Sequence, residues 1–576
     1  MRSLVLLIVT AVLIGSMRWG LPSRERNELL LHGTELTSGE LAEIRSLTSS
    51  YFEQRDEADQ FAAEQLEQGV LVPGHRATKI GAELSDVEKL RAVRRFLLSS
   101  SAVDERKPYI ALARMDPRHG DLDPRGFMYG GAYLYLVGAT LLAWETVGWL
   151  DAPRDATEAV DHPEQVARMY LAGRLPSLLA FLGVALLLLA WARNRECTRE
   201  AATLAMVVWV TSTQPLTQAL VSKPHVYAAF WVFAATYALH GHSRTQGTRW
   251  LAASGLCMGM AAGSSLVSAA AGILFPIVLW ERPGLRFWRR LGLVLASMTV
   301  AVVVTNPYVL VSPEQYLRTV LQMGSSGGSG HGVLDIGKGW HTLRELLVRG
   351  YSFPLGILGA VGSLWQLIRG RCFLRRLSLA FWVLLLGVGS TDGRVRHMIF
   401  LGPWLCLFAG IGWVVLFQYV VRRARPAVAK GLTFALLAPG ILFFAIFARD
   451  SLSDEAWLAP ARVWADELAT FQTEHGHPAA LGIFDRPEPS DHPPFPFLRA
   501  PVLNLVENRD PDARPEFVLV GSLYYGEWYW DAHPLRREYA LAYELGVRRT
   551  DSWLLGFRTR GERTRGRVYR LIPTPA

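Results

Sequence analysis

Ser101-Ala-Val-Asp-Glu-Arg-Lys-Pro-Tyr-Ile-Ala-Leu-Ala-Arg-Met-Asp-Pro-Arg-His-Gly-Asp-Leu-Asp-Pro-Arg-Gly-Phe-Met-Tyr-Gly-Gly-Ala-Tyr-Leu-Tyr-Leu136 is the stretch on which the fold turns. It is charged and punctuated by proline as far as Arg125. At Gly130 it passes, with no charge between, into an apolar run. Such a change marks the edge between an aqueous segment and a membrane core. Composition outward from this edge agrees. Of the 576 residues, 50% are hydrophobic and 19% are charged, where soluble domains average about a quarter charged. The charges crowd into 20–127 and 450–576.

Toward the N-terminus, Met1–Gly20 has a short basic start and an apolar run from Leu4 to Ile14. A cleaved signal peptide shares this pattern, but no small-x-small cleavage site follows. A first transmembrane helix over 1–19 is the expectation. Residues 20–127 then form a water-exposed first loop. Within it, Ser38-Gly-Glu-Leu-Ala-Glu-Ile-Arg-Ser-Leu-Thr and Val87-Glu-Lys-Leu-Arg-Ala-Val-Arg-Arg-Phe-Leu-Leu carry apolar residues three and four apart, the spacing of amphipathic helices suited to a bilayer surface.

Toward the C-terminus, 128–449 reads as a membrane domain. Spanning segments are expected near 128–150, 170–192, 201–220, 224–241, 250–280, 290–311, 351–369, 377–390, 397–419 and 430–448. With the first helix the total is about 11–13, each near the ~20 apolar residues that a bilayer requires. Gly263-Ser264-Ser265 interrupts 250–280 and predicts a broken helix or two short ones. Basic gaps at Arg193/Arg195/Arg199, Arg244/Arg249, Arg282–Arg290, Arg369–Arg376 and Arg422–Lys430 predict the cytoplasmic side. The loop 312–350 and the tail after 449 then lie outside. The alternation fails once. The acidic segment 151–167 falls on the same side as the first loop, with one apolar segment between them, so one segment is not a simple crossing. The tail, 450–576, has no spanning run. A helix around Ala461-Arg-Val-Trp-Ala-Asp-Glu-Leu-Ala and strands at Ala480-Leu-Gly-Ile-Phe and Glu516-Phe-Val-Leu-Val-Gly predict a small α/β domain. The whole is a mainly α, polytopic membrane protein with a small extracytoplasmic C-terminal domain.

The net charge of +9 is explained by arginines flanking apolar runs, which meet anionic headgroups; nucleic acid is not an expected partner. Cys197, Cys257, Cys372 and Cys406 show no metal-ligand spacing and no disulfide framework. No cofactor is expected and no metal-ligand motif is present in the sequence, which leaves a divalent metal as an open alternative.

Several groups have the chemistry for a site. Asp104-Glu105 stands just before the membrane edge, followed by Asp121 and Asp123 and then by Tyr129 at the mouth of a helix. A carboxylate there suits a general base acting on an acceptor, although an Asp-Glu pair is also a common solvated turn. Arg394 and Arg396 stand on the predicted outer side, against the charge rule. Guanidinium groups there suit a phosphate, or snorkel to headgroups. Lys223 and His225 in Val221-Ser-Lys-Pro-His-Val-Tyr interrupt an apolar stretch, and ionisable groups at membrane depth are functional candidates. Gly324-Ser-Ser-Gly-Gly-Ser-Gly-His-Gly, with His331, reads as a linker or as a flap over substrate. Tyr524-Tyr-Gly-Glu-Trp-Tyr-Trp reads as tail core or as a sugar-stacking surface.

Together these motifs resemble the GT-C glycosyltransferases, in particular the family of protein O-mannosyltransferases and the lipid A aminoarabinose transferase. The Asp104-Glu105 pair and the run Asp121-Leu-Asp-Pro-Arg-Gly-Phe-Met-Tyr129 resemble that family's first external loop. Arg174-Leu-Pro-Ser resembles the start of its third helix, and Thr305-Asn-Pro-Tyr its Asn-Pro-Tyr helix end. Arg394-Val-Arg-His-Met-Ile-Phe-Leu-Gly-Pro-Trp resembles its Arg-Tyr…Pro motif, with His397 where the family has tyrosine. Two departures stand out. The acidic pair comes late in the loop, which leaves Glu25 and Glu28 as rival bases, and an Asp near Lys223 is missing. The resemblance implies transfer of a sugar from a polyprenyl-phosphate donor to a lipid, glycan or protein acceptor at the outer face of a bacterial inner membrane. Asp104 would be the base supported by Glu105, and Arg394, Arg396 and Lys223 would hold the donor phosphate. Asp121, Asp123, Tyr129, His225, His331 and His397 would line the pocket. The alternatives are a catalytically inactive GT-C-like scaffold that binds lipid-linked sugar, and a transporter or flippase.

Overall fold

A computed structural model describes residues 2–32, 34–44, 83–102, 104–125, 129–153, 156–193, 197–280, 284–317, 336–351, 353–370, 372–392, 395–423, 426–484, 487–489, 492–506, 513–521, 530, 533–545 and 566–572. The protein is a mainly α, integral membrane protein with a small mixed sheet near its C-terminus. The apolar α1 (Arg2–Ser16) precedes the first loop, which contains α2 (Arg24–Leu31), α3 (Asp86–Leu98) and α4 (Lys107–Ala113). The helical domain holds α5 (Gly131–Thr146), α6 (Ala156–Asp161), α7 (Pro163–Ala190), α8 (Arg199–Thr211), α9 (Thr213–Ala219), α10 (Pro224–Thr245) and α11 (Thr248–Ala262). It continues through α12 (Leu274–Leu279), α13 (Leu285–Thr305), α14 (Tyr308–Val311), α15 (Ile336–Glu345), α16 (Phe353–Arg369), α17 (Cys372–Asp392), α18 (Gly402–Arg423) and α19 (Pro426–Ser451), and α20 (Glu455–His475) opens the tail.

By length and composition alone, five helical stretches among the described residues suffice to cross a membrane: 163–190, 285–305, 372–390, 396–423 and 426–451. Burial sorts them. The stretch containing α18 is 83% buried and lies at the centre, whereas α13 is 17% and α19 22% buried, at the rim. At the centre, a Cβ on Gly362 of α16 would stand 2.1 Å from the Phe408 carbonyl oxygen. Only glycine lets the two backbones approach so closely. The segment 250–280 is broken as its glycine and serines foretold: α11 ends at Gly263, a 3₁₀ turn covers Leu266–Ile273, and α12 follows. The expected single span at 201–220 is instead two helices. Ser212 takes an extended conformation between α8 and α9, which stops the helical ladder in mid-run.

The failed alternation is resolved by α5. Its first turn is bound by Gly130 N to Ser264 O (3.0 Å) and Ala132 N to Gly263 O (3.1 Å), and Tyr133 Oη donates to Gly173 O on α7 (3.1 Å). Just past its last turn, Trp149 O accepts from Arg168 on α7 (2.9 Å), and Asp151 N donates to Gln165 (3.1 Å). A 16-residue helix is about 24 Å long, but the step from residue 168 to 173 on α7 is only about 7.5 Å. Both ends of α5 therefore meet the same end of α7, and α5 lies across that end. The expectation of a spanning helix at 128–150 is corrected accordingly. The acidic segment is beside the first loop: Leu21 clusters with Ala159, Val166 and Tyr170. The basic gaps gather at the opposite end, where Arg2 donates to Arg199 O, Arg290 to Gln246, and Arg376 to Val278 O.

Among the described residues the tail carries a five-stranded sheet in the order β2-β1-β3-β5-β4, with β1 Leu481–Ile483, β2 Val502–Asn504, β3 Phe517–Gly521, β4 Tyr539–Leu545 and β5 Gly566–Leu571. The first three strands pair in parallel and the rest antiparallel. The first loop and the tail, read from the sequence as two aqueous parts, share one hydrophobic core. A Ser85–Glu88 capping box starts α3, and its buried face (Leu90, Val93, Phe96, Leu97) packs with Trp464, Leu481, Phe495, Phe497, Val502 and Phe517. Leu84 N donates to Val502 O (2.9 Å), and Arg95 pairs with Glu488 (2.6 Å).

Candidate functional site

The candidate site lies at the end of the bundle where the first loop meets α5, α7, α10 and the 3₁₀ turn Val395–Leu401. Asp104 begins it. This residue holds a left-handed φ of 64°, which non-glycine residues adopt at a cost. Its carboxylate meets Lys107 Nζ at 2.8 Å and Arg396 Nη2 at 3.9 Å. Lys223, buried at the N-cap of α10 just before Pro224, adds its charge to the same carboxylate. Burial pushes the Asp104 pKa up, but Lys107, Lys223 and Arg396 together outweigh it and bring it down to about 2. Opposite charges at close range favour the ionised form in this way.

Around this cluster stand His225 and His397, with ring centres 5.3 Å apart. His225 also lies in the field of Lys223, Arg396 and Lys107. Tyr129 closes the side toward α5; burial and the facing Asp104 carboxylate push its phenol well above its ordinary pKa. One carboxylate among three cations leaves an excess of positive charge. The side chains of Asp104, Lys107 and Arg396 are 26–33% exposed, so the cluster opens to solvent. The arrangement can hold an anion such as a phosphate group and present a carboxylate acceptor to a hydroxyl or amine beside it.

Glu105, expected to share the catalytic work, faces the other way. Its side chain has no exposure and is bidentate to Arg174, at 2.7 Å on both oxygens. Ser222 N and Ser100 Oγ also donate to it. The two members of the acidic pair are thus divided: Asp104 is in the open cluster and Glu105 is in a buried ion pair beneath it.

Asp121 and Asp123, expected in the pocket, build a turn instead. Asp121 pairs with Arg125 and accepts from Asp123 N (3.0 Å), and Asp123 accepts from Arg125 N (2.9 Å). That turn docks on the Asn306-Pro-Tyr308 motif: Leu122 N donates to Tyr308 Oη (2.8 Å). Asn306 itself is a clamp. Its Oδ1 accepts from Gly131 N (2.6 Å), and its Nδ2 donates to Gly263 O (3.1 Å). One unpaired donor at the start of α5 is satisfied this way. A Cβ on Gly130 would fall 1.9 Å from Gly263 O, so glycine is required at that crossing. The rival base Glu25 is paired with Arg462 on α20, and Glu28 lies on the same short helix, which packs on the tail through Leu29. Arg394, His331 with its glycine-rich segment, and Tyr524–Tyr529 lie outside the described residues, while Trp530, the last residue of that aromatic run, is buried in the tail core with Phe484, Val518 and Tyr569.

Lys107 and Arg174 were not singled out as chemistry from the sequence. Each had a signal: Lys107 stands three residues after Asp104, and Arg174 is an ionisable group inside an apolar helix. Among the described residues, no group of three or more His, Cys, Asp or Glu side chains is placed to hold a metal.

No protein-family model matches the chain, and no curated protein matches it in sequence. Solved structures are similar in overall arrangement. ArnT from Cupriavidus metallidurans bound to undecaprenyl phosphate is 13% identical, with a TM-score of 0.44, covering 84% of this chain and 96% of that one. The archaeal oligosaccharyltransferase AglB from Archaeoglobus fulgidus, in complex with an inhibitory peptide and a dolichol-phosphate, is 14% identical, with a TM-score of 0.36. That match covers 62% of this chain and 54% of AglB, so the chain spans about half of its length. The likeness concerns the path of the chain and assigns no residue a role.

Proposed function

We propose that this protein is a GT-C type glycosyltransferase that moves a sugar from a polyprenyl-phosphate donor to an acceptor at the outer face of a bacterial inner membrane. The observation that carries the reading is the Asp104 carboxylate held against Lys107, Lys223 and Arg396, on the same end of the bundle as the first loop and the tail. In the proposed reaction Asp104 accepts the acceptor's proton as its oxygen or nitrogen bonds to the sugar's anomeric carbon. The bond to the donor phosphate breaks, its electron pair stays on the phosphate oxygen, and the configuration inverts. Lys223 and Arg396, with Arg394, neutralise the charge that develops there. His225, His397 and Tyr129 line the space for the sugar. The outward orientation is supported by the basic gaps gathered at the opposite end.

A second reading, a GT-C-like scaffold that binds lipid-linked sugar without turnover, is favoured by one observation. A carboxylate with a pKa of about 2 is a weak base until an anion draws the cations away from it.

The test is sugar transfer by the purified protein in nanodiscs, with a panel of polyprenyl-phosphate sugars, an envelope lipid extract and Asp104→Asn in parallel. Product from wild type alone supports the reading and the base. Product from both variants keeps the class and removes Asp104 as base. Donor binding without turnover across the panel selects the scaffold.

A further inference from the structure

We propose that Glu105 and Arg174 are positioning residues whose buried ion pair sets the register between the Asp104 carboxylate and the Lys223 ammonium. What that register serves rests on the transferase reading above; the register itself rests on geometry. Glu105 directly follows Asp104, and Ser222 directly precedes Lys223. Glu105 Oε1 accepts both Arg174 Nε (2.7 Å) and Ser222 N (2.8 Å), while Oε2 accepts Arg174 Nη2 (2.7 Å) and Ser100 Oγ. One carboxylate therefore joins the chain beside the base to the chain beside the cation. The remaining guanidinium nitrogen, Arg174 Nη1, donates to Met17 O (2.5 Å) and Trp19 O (2.9 Å), and so ties the pair to the end of α1.

Three features mark this as a register device rather than a store of stability. A buried ion pair contributes little net stability against an apolar pair of the same shape, but its planar, bidentate geometry fixes orientation. The surroundings leave no slack: a Cβ on the neighbouring Gly173 would stand 2.1 Å from Tyr109 Oη and 2.3 Å from Ser222 Oγ. Asp104 sits at a left-handed φ, a conformation that persists where neighbouring contacts over-determine it, and Glu105 is the adjoining anchor.

The test uses the full-length protein in nanodiscs. The double variant Glu105→Gln/Arg174→Gln removes both charges, so none is left buried and unpaired. It is expected to keep a near wild-type unfolding temperature and donor KM while kcat falls by roughly 10- to 100-fold, as small misplacements of reacting groups do. Arg174→Lys keeps the charge but not the fork; an intermediate loss of kcat is expected, and this is the variant to read if the double one does not fold. A second readout needs no activity. Asp104→Cys with Lys223→Cys is cross-linked by a short bis-maleimide in the wild-type and double-variant backgrounds, and the yield is expected to fall several-fold in the latter. A folded double variant with wild-type kcat, or with unchanged cross-linking, overturns the proposal. If wild type transfers no sugar but cross-linking still falls, the transferase reading fails and the register role stands.

Discussion

At the residue scale, adjacent carboxylates in one dipeptide have opposite fates because their surroundings differ. Asp104 faces cations and solvent, whereas Glu105 is sealed against Arg174. Their replacements should separate cleanly. Asp104→Asn is expected to lower transfer by about 10²- to 10⁴-fold, the usual contribution of a positioned base, with the unfolding temperature close to wild type. Glu105→Gln leaves the Arg174 charge buried and unpaired and is expected to cost about 3–5 kcal/mol, read as a lowered unfolding midpoint in detergent. Equal effects on activity and stability for both would sink this division. The pH dependence has a definite sign. The folded-state pKa of Asp104 is depressed to about 2, so its charge contributes stability that is present above its unfolded value near 3.9 and is lost as pH falls through the folded value. Activity should therefore show no acid limb from Asp104 between about pH 4 and 7; an acid limb that Asp104→Asn removes would contradict this.

At the element scale, α5 is defined by how its ends are held. Asn306 clamps its first turn to Gly263, and Arg168 and Gln165 hold the chain after its last. Asn306→Ala orphans a helix-start donor and is expected to cost about 1–3 kcal/mol, measured by thermal unfolding. Gly130→Ala should be worse, because its Cβ would meet backbone rather than a flexible side chain. The placement of α5 has its own test. Single cysteines at Gly120 and Gly148, in a background with Cys372→Ser, should both react with a membrane-impermeant maleimide added from one side. Labelling from opposite sides would restore α5 as a spanning helix.

At the scale of the whole molecule, the first loop and the tail are one folded unit built from two distant parts of the chain. Phe96 of α3 and Trp464 of α20 lie in a single core, each without exposure. The isolated segment 450–576 therefore lacks part of its own interior and is expected to give no dispersed amide spectrum in solution. Phe96→Ala should destabilise the intact unit by about 3–5 kcal/mol, seen as increased protease cleavage in the tail. A tail that folds alone with native-like hydrogen-exchange protection would refute the shared core. Through α1 and the Gly20–Asp454 contact (3.0 Å), this unit is continuous with the buried pair that anchors Asp104.

The sequence by itself determined the local and the periodic. It placed the apolar helices, the break at Gly263-Ser264-Ser265, the helix and strands of the tail, and the failure of one segment to cross, because hydrophobic runs and glycine or proline breaks are one-dimensional signals. It also singled out Lys223 and His225 as ionisable groups in an apolar stretch, Arg396 as a cation placed against the charge rule, Asp104 as a carboxylate just before the membrane edge, and His397 through the motif that resembles the family's. Their convergence was not written there. Lys223 and Arg396 are far apart in the chain, and only the packing of α10 against the 3₁₀ turn before α18 brings both to one carboxylate. Asp104 and Glu105 are indistinguishable as a dipeptide, because a side chain's burial depends on what packs above it. Asp121 and Asp123 read as site residues, but in the turn they form one oxygen of each accepts a backbone N–H and the other oxygen of Asp121 pairs with Arg125. The choice of α5 as the segment that does not cross, and the joining of first loop to tail, depended on contacts between residues distant in sequence. Such contacts are set by the geometry of the packed helices rather than by any local preference of the chain.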